Sequence, residues 1–138
     1  MHPETLHLLD RSRELIASRC SEVVTLEDAA REACLSPFHY HRLFVRHFGQ
    51  TPHDFLTERR LERARELLAK TELPVTEVCL EAGYTSLGTF STRFRRIYGC
   101  SPSEYREGAR RYWQVVGFRT HRFVPTCFVF GGGRRPQE

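Results

Sequence analysis

The chain has no apolar run near the ~18 residues that a membrane-spanning helix needs. Its start, Met1-His2-Pro3-Glu4, lacks the basic run and apolar core of a signal peptide, so the protein is expected in the cytoplasm. There is no phosphate-binding P-loop and no glycine-rich dinucleotide turn. Gly131-Gly132-Gly133 precedes no helical pattern and reads as a linker or a loose end. The five cysteines, Cys20, Cys34, Cys79, Cys100 and Cys127, are odd in number and show no CxxC spacing. They read as reduced, mostly packed thiols. His39, His41 and His47 lack the ordered carboxylates or thiolates that would complete a metal site. Ser36, Ser86 and Ser91 have no histidine–aspartate arrangement for nucleophilic catalysis. The sequence therefore points away from an enzyme, and no metal, cofactor or membrane is expected.

What is present is an ordinary globular composition. Hydrophobic residues make up 40% and charged residues 28% of 138 positions, which predicts one domain or two very small ones. Lys and Arg number 21 against 17 Asp and Glu, a net charge of +4 that suits a phosphate-bearing partner.

The organising feature is an internal repeat. Shifted by 50 positions, the chain lays Glu27 on Glu77, Ser36 on Ser86, Phe44 on Phe94, Arg46 on Arg96, Gly49 on Gly99 and Pro52 on Pro102. Ala29 on Cys79, Tyr40 on Phe90 and Phe55 on Tyr105 are conservative matches, and the register predicts two copies without a gap. Each copy reads as helix, tight turn, helix. In the first, Thr25 with Asp28 resembles a capping box, Cys34-Leu35 makes the turn, Ser36-Pro37 opens the second helix and Gly49 stops it. In the second, Pro74 lies near the start, Gly83-Tyr84 in the turn, Ser86 at the cap and Gly99 at the stop. This is the helix-turn-helix shape. A longer helix opened by Thr51-Pro52 joins the copies, with Phe55, Leu56, Leu61, Ala64, Leu67 and Leu68 as its apolar stripe. Arg59, Arg60, Arg63 and Arg65 on that helix read as a solvated face paired with its glutamates. A further helix over about residues 5–18 is expected to pack against the first copy.

Periodicity divides each second helix into two faces. Tyr40, Leu43, Phe44, His47 and Phe48 are assigned inward, as are Phe90, Phe94, Ile97 and Tyr98. Phe38, His41 and Arg42 are left outward, where arginine can read guanine and an aromatic ring can meet a thymine methyl. The outward face of the second copy, Leu87, Gly88, Ser91 and Thr92, is smaller and less charged. Ser36 and Ser86 mark helix N-termini whose backbone N–H groups suit phosphates. Arg46, Arg93, Arg95 and Arg96 are expected to assist.

Val75-Thr76-Glu77-Val78-Cys79, Gly83-Tyr84, Phe90-Ser91-Thr92-Arg93-Phe94, Tyr98-Gly99 and Ser101-Pro102 with Tyr105-Arg106 resemble the signature of the AraC/XylS family of transcription regulators. Ser36 through Phe44, with Gly49 and Pro52, is similar to that family's first helix-turn-helix. The resemblance covers about residues 6–106. It implies an all-α, seven-helix domain over 1–106: first helix-turn-helix 25–49, linker helix 52–70, second helix-turn-helix 75–99. It also implies a sequence-specific regulator, expected to be an activator, that binds double-stranded promoter DNA as a monomer in adjacent major grooves. RNA polymerase is a further expected partner, and a small-molecule effector is left open. Base-contacting positions of the family fall on Phe38, His41, Arg42, Leu87, Gly88, Ser91 and Thr92. The family usually has arginine where Thr92 stands and often serine where Gly88 stands, which implies weaker reading by the second copy. The sequence as given carries no sensor domain, so it is read either as resembling the stand-alone members or as a fragment of a longer protein. The extension 107–138 carries Trp113, Val115, Val116, Phe118, Phe123, Val124, Phe128, Val129 and Phe130. It is expected to pack on the domain or form a short strand, as a partner or effector surface. Two competing functions follow: an interaction module centred on this tail, and a redox sensor using Cys20, Cys34 or Cys100.

Overall fold

A computed structural model describes residues 2–116, apart from the side chains of Trp113, Val115 and Val116. Of the extension expected over 107–138, residues 107–116 are helical, and 117–138, with Cys127 and the three-glycine run, lie outside the described residues. Among the described residues there are seven helices and no strand: α1 (Pro3–Ser18), α2 (Leu26–Glu32), α3 (Pro37–Phe48), α4 (Pro52–Lys70), α5 (Val75–Glu81), α6 (Leu87–Tyr98) and α7 (Pro102–Val116). This is the expected all-α class. None of these helices is long and apolar enough to cross a membrane. The chain divides into two compact units, Met1–Arg60 and Leu61–Glu138, the boundary falling within α4.

The helix ends follow from local chemistry. Thr25 caps α2 in a full capping box: its Oγ1 accepts from the Asp28 N–H, and the Asp28 carboxylate accepts from the Thr25 N–H. The Thr25 hydroxyl also donates to the Asp28 carboxylate at 2.8 Å, and this bond first, then the Thr25 N–H, lowers the Asp28 carboxyl from its ordinary value. Ser36 and Ser86 accept from the N–H three residues on, each at 3.3 Å. Thr51 does the same for Asp54 at 3.0 Å. Ser101 and Glu104 form a second capping box, at α7. Gly49 and Gly99 end α3 and α6 in the left-handed region at φ 73° and 77°.

The repeat is real but its register is not uniform. α3 and α6 are 50 positions apart, as are Ser36 and Ser86. α2 and α5 are 49 apart, and so are the left-handed residues after them, Cys34 at φ 56° and Gly83 at φ 93°. The ungapped alignment is therefore corrected. The second copy has one extra residue between its turn and its second helix, so Cys79 matches Ala30 rather than Ala29. The identity of Glu27 and Glu77 hid this, because both offsets place small and apolar residues on the same face. Cys34 occupies a conformation that costs a residue with a Cβ roughly 1–2 kcal/mol and costs Gly83 almost nothing.

In unit 1 the core is built on Leu9, Ile16, Ala29, Ala33, Tyr40 and Phe44, closed by Phe55 and Leu56 from α4. Ser12 is fully buried in it. Its hydroxyl lies 2.7 Å from the Ala29 carbonyl and 2.8 Å from Tyr40 Oη. A carbonyl can only accept, so the one Ser12 proton goes to Ala29 and the Tyr40 hydroxyl donates to Ser12. Three helices are thereby tied at one point. Unit 2 repeats the arrangement with Leu61, Ala64 and Leu68 at the spacing of Leu9, Ser12 and Ile16, and Phe90 in the place of Tyr40. The hydrogen-bonded pair of unit 1 is an apolar pair in unit 2. Ser12→Ala alone strands a buried tyrosine hydroxyl and should cost ~1–3 kcal/mol. Tyr40→Phe alone should cost ~0.5–1.5 kcal/mol, and the double substitution should be nearly neutral. Urea unfolding of the three variants measures this, and a double mutant as unstable as the sum of the singles would refute it.

The arginines of α4 do more than cover a solvated face. Arg60 Nε donates to the Cys20 carbonyl at 2.7 Å and Nη2 to the Glu22 carbonyl at 3.1 Å, fastening the α1–α2 connection. Arg63 Nε donates to the Glu81 carbonyl, and Arg65 lies over Tyr98. Arg59 stacks over Phe55, four residues before it. In unit 2, Arg106 donates to the Leu68 carbonyl and Arg110 pairs with Glu72. Glu72 stands 50 positions after Glu22, so in each unit an arginine of the closing helix grips the segment leading to the first helix of the pair.

Candidate nucleic-acid interface

Each unit sets its second helix against the core through one aromatic row. On α3 the Tyr40 and Phe44 rings lie 5.6 Å apart, and Phe44 and Phe48 4.6 Å apart. On α6 the corresponding distances are 5.8 Å for Phe90 and Phe94 and 4.6 Å for Phe94 and Tyr98. Burying this row fixes which side of the helix is left outside. His47 and Ile97, assigned inward from periodicity, are exposed in the structure. They are equivalent positions, about 60° from the centre of the apolar row at 100° per residue, and so lie at its edge.

On α3, Phe38 is 73% exposed and Arg42 and Arg46 are exposed. The Arg42 guanidinium lies over the Phe38 ring, 5.6 Å from its centroid. His41 is also exposed but flanks this pair, bordering a small, mostly apolar cavity with His53, Ile16 and Leu56. On α6, Leu87, Gly88 and Thr92 are exposed and Ser91 is half-buried. Thr92, Gly88, Arg93 and Arg96 border one shallow recess. A Cβ on Gly88 would meet nothing nearer than Ser86 Oγ at 3.9 Å. Arg95 lies 4.0 Å from the Glu104 carboxylate, a loose and exposed pair. Each unit thus gathers its own predicted residues on one helix.

A further signal in the sequence escaped the periodicity reading. α1, α2, α4, α5 and α7 each carry an acidic residue in the first turn, whereas α3 and α6 carry none. An acid in the first turn neutralises the positive end of a helix from within. The two helices without one offer their N-terminal N–H groups and partial positive charge to an outside anion. Both also end in basic residues, Arg46 with His47 and Arg95 with Arg96. Each of these two helices can offer an anion its N-terminal N–H groups and present the side chains on its own exposed face.

Of the thiols named for the redox alternative, Cys100 is poorly placed. Burial pushes the Cys100 thiol up to about 11, with the nearby Glu104 carboxylate adding to it, and burial raises Cys79 as well. Such groups hold little reactive thiolate near neutrality. Cys20 is buried and Cys34 exposed.

A family model described as a helix-turn-helix domain matches residues 29–108. The chain is 39% identical over 88 residues to the HTH-type transcriptional activator RhaS of Escherichia fergusonii, covering 64% of this chain and 32% of that one. It spans about a third of the length of the curated relatives it matches. Among solved structures, it is similar to the DNA-binding domain of the global transcriptional factor AdpA in complex with a target DNA. The TM-score is 0.72 at 28% identity, covering 76% of this chain and 95% of that one. It is also similar to a transcriptional regulator from Chromobacterium violaceum described as AraC-type, with a TM-score of 0.71 at 27% identity over 78% and 96% of the two chains.

Proposed function

Because the chain belongs to the AraC-type helix-turn-helix family of DNA-binding transcription regulators, we propose that it binds promoter DNA sequence-specifically, with α3 and α6 in adjacent major grooves. The observation that carries this is that each unit has an exposed second helix and that, among the described helices, these two are the ones without an acid in the first turn. Phe38, His41 and Arg42 on α3 and Leu87, Gly88, Ser91 and Thr92 on α6 face bases. The caps Ser36 and Ser86 and the cations Arg46, Arg93, Arg95 and Arg96 face phosphates. Arg42 is suited to guanine through its two parallel donors. The α6 face has no long polar side chain among its base-facing positions, so it contributes register and phosphate contact more than base choice. The protein acts in the cytoplasm as a monomer on DNA and as an activator, the latter in keeping with the name of its RhaS relative.

Selection of bound sequences from a random double-stranded pool tests this. The expected result is a bipartite motif with half-sites about 10–10.5 base pairs apart, the half assigned to α3 being the more sharply defined. Affinity should also fall steeply with salt as condensed counterions are released. A pool that stays random after repeated selection would overturn the proposal.

A further inference from the structure

We infer that Phe38 is a positioning residue for Arg42, the two forming a single guanine-reading unit that α3 has and α6 lacks; this rests on the DNA-reading function proposed above. Phe38 and Arg42 are four residues apart, the spacing at which helix side chains meet. The guanidinium lies over the ring face, where the quadrupole attracts a cation. The ring belongs to neither core cluster and stands 73% exposed, so core packing does not account for an aromatic residue here.

An arginine on an open helix face has many rotamers, and only some point both donors along the helix-outward direction that a bidentate guanine contact requires. Phenylalanine has two side-chain torsions and is held stiffly by its own helix. Stacking on it removes arginine conformers that fold back or swing aside, before any DNA arrives. The donors all lie at the guanidinium edge, so a contact made through its face would leave them free. Phe38 thereby sharpens discrimination through Arg42, without itself adding phosphate affinity.

The internal repeat supplies the comparison. Fifty positions on, the pair becomes Gly88 and Thr92, with neither ring nor cation. These two residues border an open recess, and nothing blocks a side chain at Gly88. The unit should therefore be transferable.

The experiment measures the full chain binding its selected site and three versions in which the guanine assigned to Arg42 is replaced by each other base. Phe38→Ala and Phe38→Leu should reduce the preference for guanine by roughly two- to fivefold, the range of an exposed cation–π contact. The slope of affinity against salt should not change. Phe38→Tyr, which keeps the ring face, should retain the preference. In an Arg42→Ala background, Phe38→Ala should leave the guanine preference where Arg42→Ala alone has put it. On α6, Gly88→Phe with Thr92→Arg should create a guanine preference in the second half-site that exceeds that of Thr92→Arg alone. Thermal melting should be unchanged for every Phe38 variant, since the ring is outside both cores. An unaltered guanine preference in Phe38→Ala would overturn the pairing, and so would an effect additive with Arg42→Ala, which would leave Phe38 as an independent base contact. A wild-type protein with no sequence preference would instead overturn the DNA-reading function, and the pairing with it.

Discussion

Replacing Arg42 by alanine should weaken binding to the selected site by about 5- to 150-fold, corresponding to ~1–3 kcal/mol, and should relax the choice of base at one position. The side chain is exposed, and among the described residues its one recorded contact is with Phe38, so its removal takes little from the folded state. The loss is thus read in binding rather than stability. The control is Arg46→Ala. Arg46 lies one turn further along the same helix and is assigned to phosphate. Its loss should weaken all sequences alike and reduce the salt slope by roughly 0.9. Anisotropy titrations of both variants on the selected site and on a scrambled duplex separate the two cases. If Arg42→Ala weakened both duplexes equally, the base-reading role would be lost and Arg42 would join the phosphate contacts.

The second large effect is on the core. Phe44→Ala should destabilise the protein by ~3–5 kcal/mol, the range for truncating a buried aromatic ring. Phe44 is fully buried and its ring touches those of Tyr40, Phe48 and Phe55 at 5.6, 4.6 and 6.0 Å. It therefore joins α3 to the start of α4 as well as to its own helix. Units near 60 residues bury a modest share of their surface and sit at the low end of the usual stability range of about 5–15 kcal/mol. A loss of this size consumes most of such a margin. Phe44→Leu should recover part of it by refilling the cavity. Denaturant unfolding with hydrogen exchange would show the loss and place it in residues 2–60. A cost below about 1 kcal/mol would mean that the aromatic row is not what seats α3.

Much of this was legible because the signals are local. Thr25 with Asp28, Ser36 with Pro37, Gly49 and Gly99 each fix a helix end within three or four residues, and each behaves as its chemistry dictates. The outward face of α3 followed from the buried spacing of Tyr40, Phe44 and Phe48. Three things were not legible. The edge positions His47 and Ile97 depend on how far a core reaches along a helix, which period alone does not encode. The carbonyl contacts of Arg60 and Arg63 join residues 18 to 40 positions apart, and nothing in the spacing of charges announces them. The shift from an offset of 50 to one of 49 was concealed by a coincidental glutamate match. The missing first-turn acids were visible in the sequence, but their meaning emerges only when all seven helices are compared.

That shift has a consequence for anyone who would exchange parts between the two halves. The second helices alone, cut at Ser36 and Ser86 and at Gly49 and Gly99, are equal in length and can be traded residue for residue. The complete two-helix pieces cannot, because the second carries Thr85 between the Tyr84 turn and the Ser86 cap with no counterpart in the first. A chimera built on the ungapped register would rotate every residue of the transplanted first helix by about 100°, placing an apolar stripe in water and a polar one in the core. The connection of the second copy is thus a built-in spacer. Its length, rather than any side chain in it, decides which segments of this protein are interchangeable.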